Sequence, residues 1–596
     1  MSSTADVPDE TPRRGRWRPP GVSFDGLRDP DVVLAVLAPV AAAVVTLYLV
    51  IPTLLPGVAS WDTAEFQTVG PLLGTAHPTG YPSYVILGWV ASIVLQPFGN
   101  PAFRMNLLQA FTAAVAVAGT VGLVQLLTGR RWIALATGLM LACSQLFWRL
   151  ATHADPHMLH LALVAILFTI LLTWDRRRRS EDPEIVRHAD RWLVAAALVY
   201  GVAVANHSLA LLLPPAIGLF VLAVDWRVVL RWRTVLACAG VLMATVTVFF
   251  LELPIRAAMH APLVYGHPDT LRGFTYVVLA EQFRGSLVDP LGDLGGKLDT
   301  VFNLISGWLG PVGIMAAIGF GTSVIRRPRY ALLSGLAVLV TCFFAASYDN
   351  ADIERYYLVP LFLAFTWVGL GLADALDLLL WMVPREWVAP DRLDDEAAPY
   401  ETAQTAEEPT ATDSDSAEAD SESAGSAPAP SWTARGTPLL EWMVAIVLLV
   451  GALSVAPERQ LPEDPLHPGA VSEAASTAYA TWERALLAPP DQGGLPADAV
   501  FVSWWSDSTT LWYGQKVEGL RPDVYIVDDR TRLDDNLGEV WDVIDRFLGK
   551  RPVFLDRLSF NPDGILALSQ IYDLKDYALA PDGRMIEQVV SRKGTQ

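Results

Sequence analysis

Two carboxylates three residues apart, Asp62 and Glu65 in Trp61-Asp62-Thr63-Ala64-Glu65-Phe66, stand just after a long apolar run, and His77-Pro78-Thr79-Gly80-Tyr81-Pro82 follows shortly after. If 60–73 is helical, the two acids share one face, with Cβ atoms about 5–6 Å apart. One such group can take a proton from an attacking hydroxyl while the other orients it or binds a metal. Solvated loop acids are the plain alternative, and spacing alone does not separate the two readings. Pro78 biases His77 away from helical geometry, and Gly80 and Pro82 shape a rigid turn. A histidine there can meet a lipid phosphate at headgroup depth or simply pack.

Further candidates lie far along the chain. Arg256, in Leu253-Pro254-Ile255-Arg256-Ala257-Ala258, and Arg355, between Glu354 and Tyr356, both follow or precede apolar runs on the side where arginine is disfavoured, so each is expected to have an anionic partner. For Arg355 the neighbouring Glu354 offers a simple salt bridge. The corner His153-Ala154-Asp155-Pro156-His157 and the pair Asn206-His207 fall on the same side, although His207 can equally cap a helix pair.

These residues must be positioned by membrane helices. The 596 residues are 52% hydrophobic and 18% charged, with a mean hydropathy of +0.34, and many segments reach the ~20 apolar residues that span a bilayer. The net charge of −20 is concentrated in 391–430, which holds 12 Asp+Glu against one Arg. Residues 384–436 are therefore expected to form an acidic, disordered cytoplasmic linker. Cys143, Cys238 and Cys342 all lie in apolar segments, so neither disulfides nor a zinc site are indicated.

Arginine clusters at 130–131, 176–179, 227–233 and 326–329 set the topology, because cytoplasmic loops carry the excess of Lys and Arg. All four share the cytoplasm only if Tyr81–Pro97, ~25 Å long as a helix, fails to cross a ~30 Å hydrocarbon core. The expected spans are 32–55, 102–128, 132–150, 157–174, 191–207, 208–224, 234–253, 301–324, 330–348, 356–383 and 437–455, about 11 in all. An N-terminal cytoplasmic tail of 1–30 precedes a transmembrane catalytic unit of 31–383. The last span carries 456–596 outward as a soluble α/β domain, with strands Ala499–Ser503, Val524–Val527 and Pro552–Leu555 alternating with helical patterns at 507–518, 537–549 and 562–571. No glycine-rich phosphate cradle follows its first strand.

Asp62-Thr63-Ala64-Glu65, His77 to Pro82, Gly201 to His207, Leu253 to Ala258 with Tyr265-Gly266-His267-Pro268-Asp269-Thr270, and Gly519-Leu520-Arg521-Pro522-Asp523-Val524 resemble, in order, the signature blocks of the transmembrane protein 260-like family. That family is glycosyltransferase family 117, relatives of protein O-mannosyltransferases, and its outer loops look like those of GT-C glycosyltransferases. The chain departs from the family at Thr79 and around Asp155 and His157. The resemblance implies a GT-C-like polytopic fold and transfer of a sugar, mannose foremost, from a polyprenyl-phosphate-linked donor to a hydroxyl of a protein or envelope glycan. Asp62 would act as base with Glu65 beside it, and His77, Tyr81, Arg256 and Arg355 would bind the donor phosphate. Asp155, His157 and His207 would line a second-loop pocket. A divalent Mg or Mn ion stays open, with Asp62, Glu65 and Asp155 as its ligands if there is one. No nucleic acid is expected as a partner. Thirty-eight arginines against five lysines suit a GC-rich bacterial genome, hence a multi-pass protein of the cell membrane with its site on the outer face.

Two rivals come from other classes. A transporter or lipid flippase would place ionisable groups near the membrane midplane and often show internal repeats, whereas here the acids and histidines gather in loops. A two-carboxylate glycosidase fits the acids but not the many spans.

Overall fold

The computed structural model describes residues 30–350, 352–382, 437–455, 473–556, 568–580, 583 and 585–594. The expected N-terminal tail and the 384–436 linker lie outside the described residues. The first helices are α1 (Pro30–Val50), α2 (Trp61–Leu72), α3 (Pro82–Val94), α4 (Pro101–Thr128), α5 (Arg131–Ala142), α6 (Gln145–Ala151) and α7 (Pro156–Arg178).

Among the described residues seven helical stretches are long and apolar enough to cross a membrane: Val36–Thr53, Pro101–Thr128, Pro156–Arg178, Trp232–Ala258, Leu294–Arg326, Pro328–Ala345 and Ile353–Met382. The pair α5 and α6, bent by 69°, makes an eighth if it is one span. The eleven expected spans therefore differ from the structure in three further places. Segments 191–207 and 208–224 become helices Arg191–Asn206 and Pro214–Asp225, of 16 and 12 residues, separated by a 3-10 turn at Ser208–Leu212. Pro214 and Pro215 lack the N–H groups that would carry one helix into the next. In Thr437–Val455 the apolar stretch is confined to Leu440–Ala452. Apolar side chains such as Val44, Val248, Ile325 and Leu339 point out of the bundle, as contact with hydrocarbon requires. The chain is an integral membrane protein, mostly helical.

Helix α3 has 13 residues, about 20 Å, and does not span a bilayer by itself. Helix α7 shows how the bundle separates its ends. Asp155 caps it at the N-terminus, accepting a hydrogen bond from His157 N–H, and Arg176, Arg177 and Arg178 close it 23 residues later, roughly 34 Å away. The arginine clusters collect at that far end. Arg178 and Arg231 pair with Asp225 at 2.7 and 2.6 Å, and Arg326 and Arg327 pair with Asp374 at 2.9 and 3.0 Å.

The candidate residues collect at the other end, under an α/β segment with strands β1 (Val500–Val502), β2 (Tyr525–Val527), β3 (Val553–Leu555), β4 (Tyr572–Leu579) and β5 (Met585–Arg592). The sheet order is β2-β1-β3-β5-β4, with the first three strands parallel and the last two antiparallel. The expected βα pattern corresponds to β1 to β3 with helices Trp505–Trp512 and Val540–Phe547. Most of the expected 562–571 helix lies outside the described residues. The β4–β5 hairpin is an addition that the apolar runs did not signal, because half of its strand residues are exposed and charged residues interrupt both strands.

This segment shares a hydrophobic core with the helices beneath it. Phe66, Val69, Tyr84 and Met105 from α2 to α4 cluster with Leu263 and with Trp482, Phe501, Leu511 and Trp512. Side chains also clamp the chain just before α2: Thr510 Oγ1 donates to the Ala59 carbonyl at 2.6 Å, and Ser476 Oγ to that of Val58 at 2.8 Å.

Candidate active site

Helix α2 forms as the Asp62/Glu65 pairing requires, but it does not lie on a surface. Residues Thr63 to Gly70 are buried, because the α/β segment covers the face expected to meet lipid headgroups. Two buried amides fix where α2 begins. Gln67 accepts from Ala59 N–H at 2.9 Å and donates to Asn106 Oδ1 at 3.0 Å, and Asn106 donates to the Leu55 carbonyl while accepting from Ala154 N–H. Sequence reasoning passed over both. Their signal was two amides inside otherwise apolar helical runs, where each needs a partner.

The two acids take different roles. Glu65 is fully buried, and both its oxygens are spent on His77: Oε1 accepts the backbone N–H at 2.7 Å and Oε2 lies 2.5 Å from Nδ1. His77 Nε2 lies 3.0 Å from the Tyr81 hydroxyl. The turn that makes this possible needs Gly80, which has φ +84° and sits where a Cβ would meet Leu253 and Val277 at 3.1–3.2 Å. Glu65 therefore orients His77 rather than Asp62. Burial works against a charged His77, but Glu65 and Asp62 outweigh it and raise the imidazole above its ordinary value.

Asp62 keeps 23% of its side-chain surface, so of the two acids it is the one an incoming group can touch. Arg355 Nη2 donates to its Oδ2 at 2.9 Å and Trp505 Nε1 to its Oδ1 at 3.2 Å. Burial pushes the Asp62 carboxyl up, yet the charges of His77 and Arg355 and these two hydrogen bonds prevail and hold it below the usual carboxylate range. Its place in the first turn of α2 also favours the anion.

Arg355 joins the two halves of the site. Its Nη1 lies 3.4 Å from Asp155 Oδ2, while Asp155 Oδ1 accepts from both the backbone N–H and Nδ1 of His157 at 2.7 Å. Burial opposes the charge on Asp155, but His157 and Arg355 drive its carboxyl well below the carboxylate range. The expected Arg355–Glu354 pair is absent among the described contacts, since Glu354 faces Arg149 at 3.4 Å. The ring of His207 lies 4.4 Å from that of His157 and 5.3 Å from Tyr81. His207 also caps a turn, its Nδ1 accepting from Leu209 N–H at 3.1 Å. The Nε2 atoms of His157 and His207 are buried without a partner. A narrow cavity lined by His157, His160, Arg355, Tyr356 and the apolar Leu209 and Val359 opens beside them.

Arg256 stands apart from this cluster. Its Nε and Nη2 donate to the carbonyls of Leu73 and Leu72 at 2.8 and 3.1 Å, so its partner is the C-terminal end of α2 rather than an anion. The donor atoms of Asp62, Glu65 and His77 lie within 4.8 Å of one another, which raises the question of a divalent metal. Both ring nitrogens of His77 are already engaged, by Glu65 and Tyr81, while each oxygen of Glu65 and Asp62 carries one hydrogen bond, so an ion here would have to displace the His77 contacts. Asp155 lies on the other side of Arg355, paired with His157. The positive charges beside Asp62 are those of His77 and of the Arg355 guanidinium.

Known proteins resemble this chain. Residues 62–230 match the family described as the protein O-mannosyl-transferase TMEM260 N-terminal domain. The mouse protein O-mannosyl-transferase TMEM260 is 26% identical over 363 residues, 57% of this chain and 49% of the relative. The Dictyostelium discoideum protein of that name is 24% identical over 261 residues, 42% and 31%. The chain thus spans half or less of the length of the curated relatives it matches. Among solved structures, ArnT from Cupriavidus metallidurans superimposes with a TM-score of 0.52 in its apo state and 0.50 bound to undecaprenyl phosphate. Both comparisons are at 14% identity and cover 93–94% of this chain and 97% of ArnT. That likeness shows a GT-C type of fold. By these matches, the first of which begins at Asp62, the chain is similar to proteins of the transmembrane protein 260-like family.

Proposed function

We propose that the protein is a membrane glycosyltransferase that moves a sugar, mannose, from a polyprenyl-phosphate-linked donor to a hydroxyl of a protein or envelope glycan on the outer face of the cell membrane. The observation that carries this is Asp62: an ionised, partly open carboxylate held by Arg355, whose side chain also lines a cavity walled by histidines and apolar residues. A curated relative bears the name of a protein O-mannosyl-transferase, and the fold is one that, in ArnT, binds undecaprenyl phosphate.

In this reading the outer face offers no nucleotide sugar, so the donor arrives through the bilayer with its tail still in lipid. The Asp62 carboxylate takes the proton of the acceptor hydroxyl as that oxygen attacks the anomeric carbon. The bond from the anomeric carbon to the phosphate oxygen breaks, the electron pair leaves with the lipid phosphate, and the anomeric configuration inverts. Arg355, Tyr356 and the unpartnered Nε2 of His157 supply the stabilising side of the pocket for the leaving phosphate. Glu65 holds His77 and Tyr81 in place, and Asp155 holds His157. The concentration of arginine at the opposite end supports placing the site outside.

The test is transfer itself. Purified protein in detergent, incubated with a polyprenyl-phosphate-mannose pool, is expected to place labelled mannose on envelope proteins or glycans. Absence of label on any acceptor, with donor consumption no faster than in the absence of protein, would contradict the proposal.

A further inference from the structure

One wall of the candidate site is supplied by a residue that follows the last apolar helix by some fifty positions. Trp505 is the first residue of the helix Trp505–Trp512 in the α/β segment, and its indole Nε1 donates to Asp62 Oδ1 at 3.2 Å across 443 residues of chain. The ring is held on several sides. It meets His77 edge-on at 6.0 Å, Tyr265 at 6.3 Å and Trp512 at 5.5 Å between centroids. Arg530 then lies over Tyr265 at 4.5 Å and Trp512 at 5.2 Å, locking this aromatic layer to the segment that carries it. The segment in turn is bonded to the residues just before α2 and to the start of α4, where Tyr513 accepts from Ala102 N–H at 3.2 Å.

Asp62 is thus gripped from two directions, by a cation on the bundle side and by a neutral donor on the α/β side. The charged groups that face it are His77 from the loop after α2 and Arg355 from the turn before the last helix of the 353–382 stretch, with Glu65 and Asp155 standing behind those two. A carboxylate held only by Arg355 could turn about its Cβ–Cγ bond toward the cation. The indole N–H on Oδ1 and the guanidinium on Oδ2 together fix the plane of the group, which keeps 23% of its side-chain surface open. An N–H to an anion is among the stronger neutral-donor hydrogen bonds.

We infer that Trp505 is a positioning residue of the active site, fixing the Asp62 carboxylate for proton removal, so that the α/β segment completes the catalytic centre rather than only covering it. The inference rests on the proposed role of Asp62 as base.

The test compares transfer by the full-length protein, Trp505→Phe, and a protein carrying benzothienylalanine at 505, which keeps the fused ring and lacks the N–H. Both changes are expected to lower kcat roughly 10- to 100-fold with the donor KM within about twofold, and to move the acid limb of the pH–rate profile to higher pH, because a donor that favours the anion is gone. A role in packing alone would leave the benzothienyl protein with the wild-type kcat and the wild-type limb, and that result overturns the inference even if Trp505→Phe folds poorly. Asp62→Asn is run beside them. If it is inactive while the benzothienyl protein is normal, only the role of Trp505 has failed; if Asp62→Asn transfers normally, the assignment of the base has failed first.

Discussion

At the scale of single residues, the site is a chain of charges in which each member sets the state of the next. Asp62 is held ionised, so its contribution is present above the ordinary carboxylate value and is lost only as pH falls through its lowered folded value. Transfer is expected to stay level from neutrality down to about pH 4 and to drop only below it, as a pH–rate profile would read. His77 behaves in the opposite sense. Its raised value means that the stability it draws from Glu65 is complete below about pH 6.5 and is lost as pH rises through the folded value. Melting temperature should therefore fall with rising pH more steeply in the wild type than in His77→Gln. Arg355 faces Asp62 and Asp155 with its side chain 12% exposed, and Arg355→Leu would take from both acids the guanidinium they share, leaving Asp62 to His77 and Asp155 to His157. A loss of about 3–5 kcal/mol, seen in thermal unfolding, is expected alongside loss of activity. The spacing of Asp62 and Glu65 was legible because i and i+3 share a helix face. The division of labour between them was not, since it depends on a loop returning His77 to Glu65. Trp505 was out of reach for a simpler reason: nothing local marks a tryptophan whose partner is 443 residues away.

At the scale of elements, the helices that hold the site were the readable part. Asp155-Pro156 announces a capped helix start, and the same cap brings His157 onto Asp155. Span counting worked where apolar runs were long and unbroken, and failed where prolines and a 3-10 turn cut 191–224 into short pieces. Arg256 illustrates the limit of charge arguments. An arginine on the disfavoured side needs a partner, but the sequence did not say that two carbonyls at the end of α2 would serve. Arg256→Ala is expected to lower stability by roughly 1–3 kcal/mol while leaving the donor KM of the remaining folded enzyme near wild type. A donor KM raised tenfold without a change in melting would return Arg256 to the phosphate.

At the scale of the whole molecule, a bundle with arginines at one end and acids, histidines and an α/β segment at the other is polarised for work on one side of a membrane. The arginine clusters made that polarity readable, while the docking of the α/β segment onto α2 depends on a shared core assembled from distant parts of the chain. Sidedness is testable with single cysteines at exposed positions. Arg272 at the site end and Arg187 at the arginine end are exposed. A cysteine at 272 should react with an impermeant thiol reagent added outside intact cells, and one at 187 should not. The reverse pattern would invert the topology. The central claim, that Asp62 is the base of a sugar transfer, is tested most directly by measuring transfer from a verified polyprenyl-phosphate-mannose donor by Asp62→Asn, which keeps the shape of the side chain and cannot take the proton. The rate should fall ~10²–10⁴-fold with expression and melting temperature near wild type, and a near-normal rate would contradict the account.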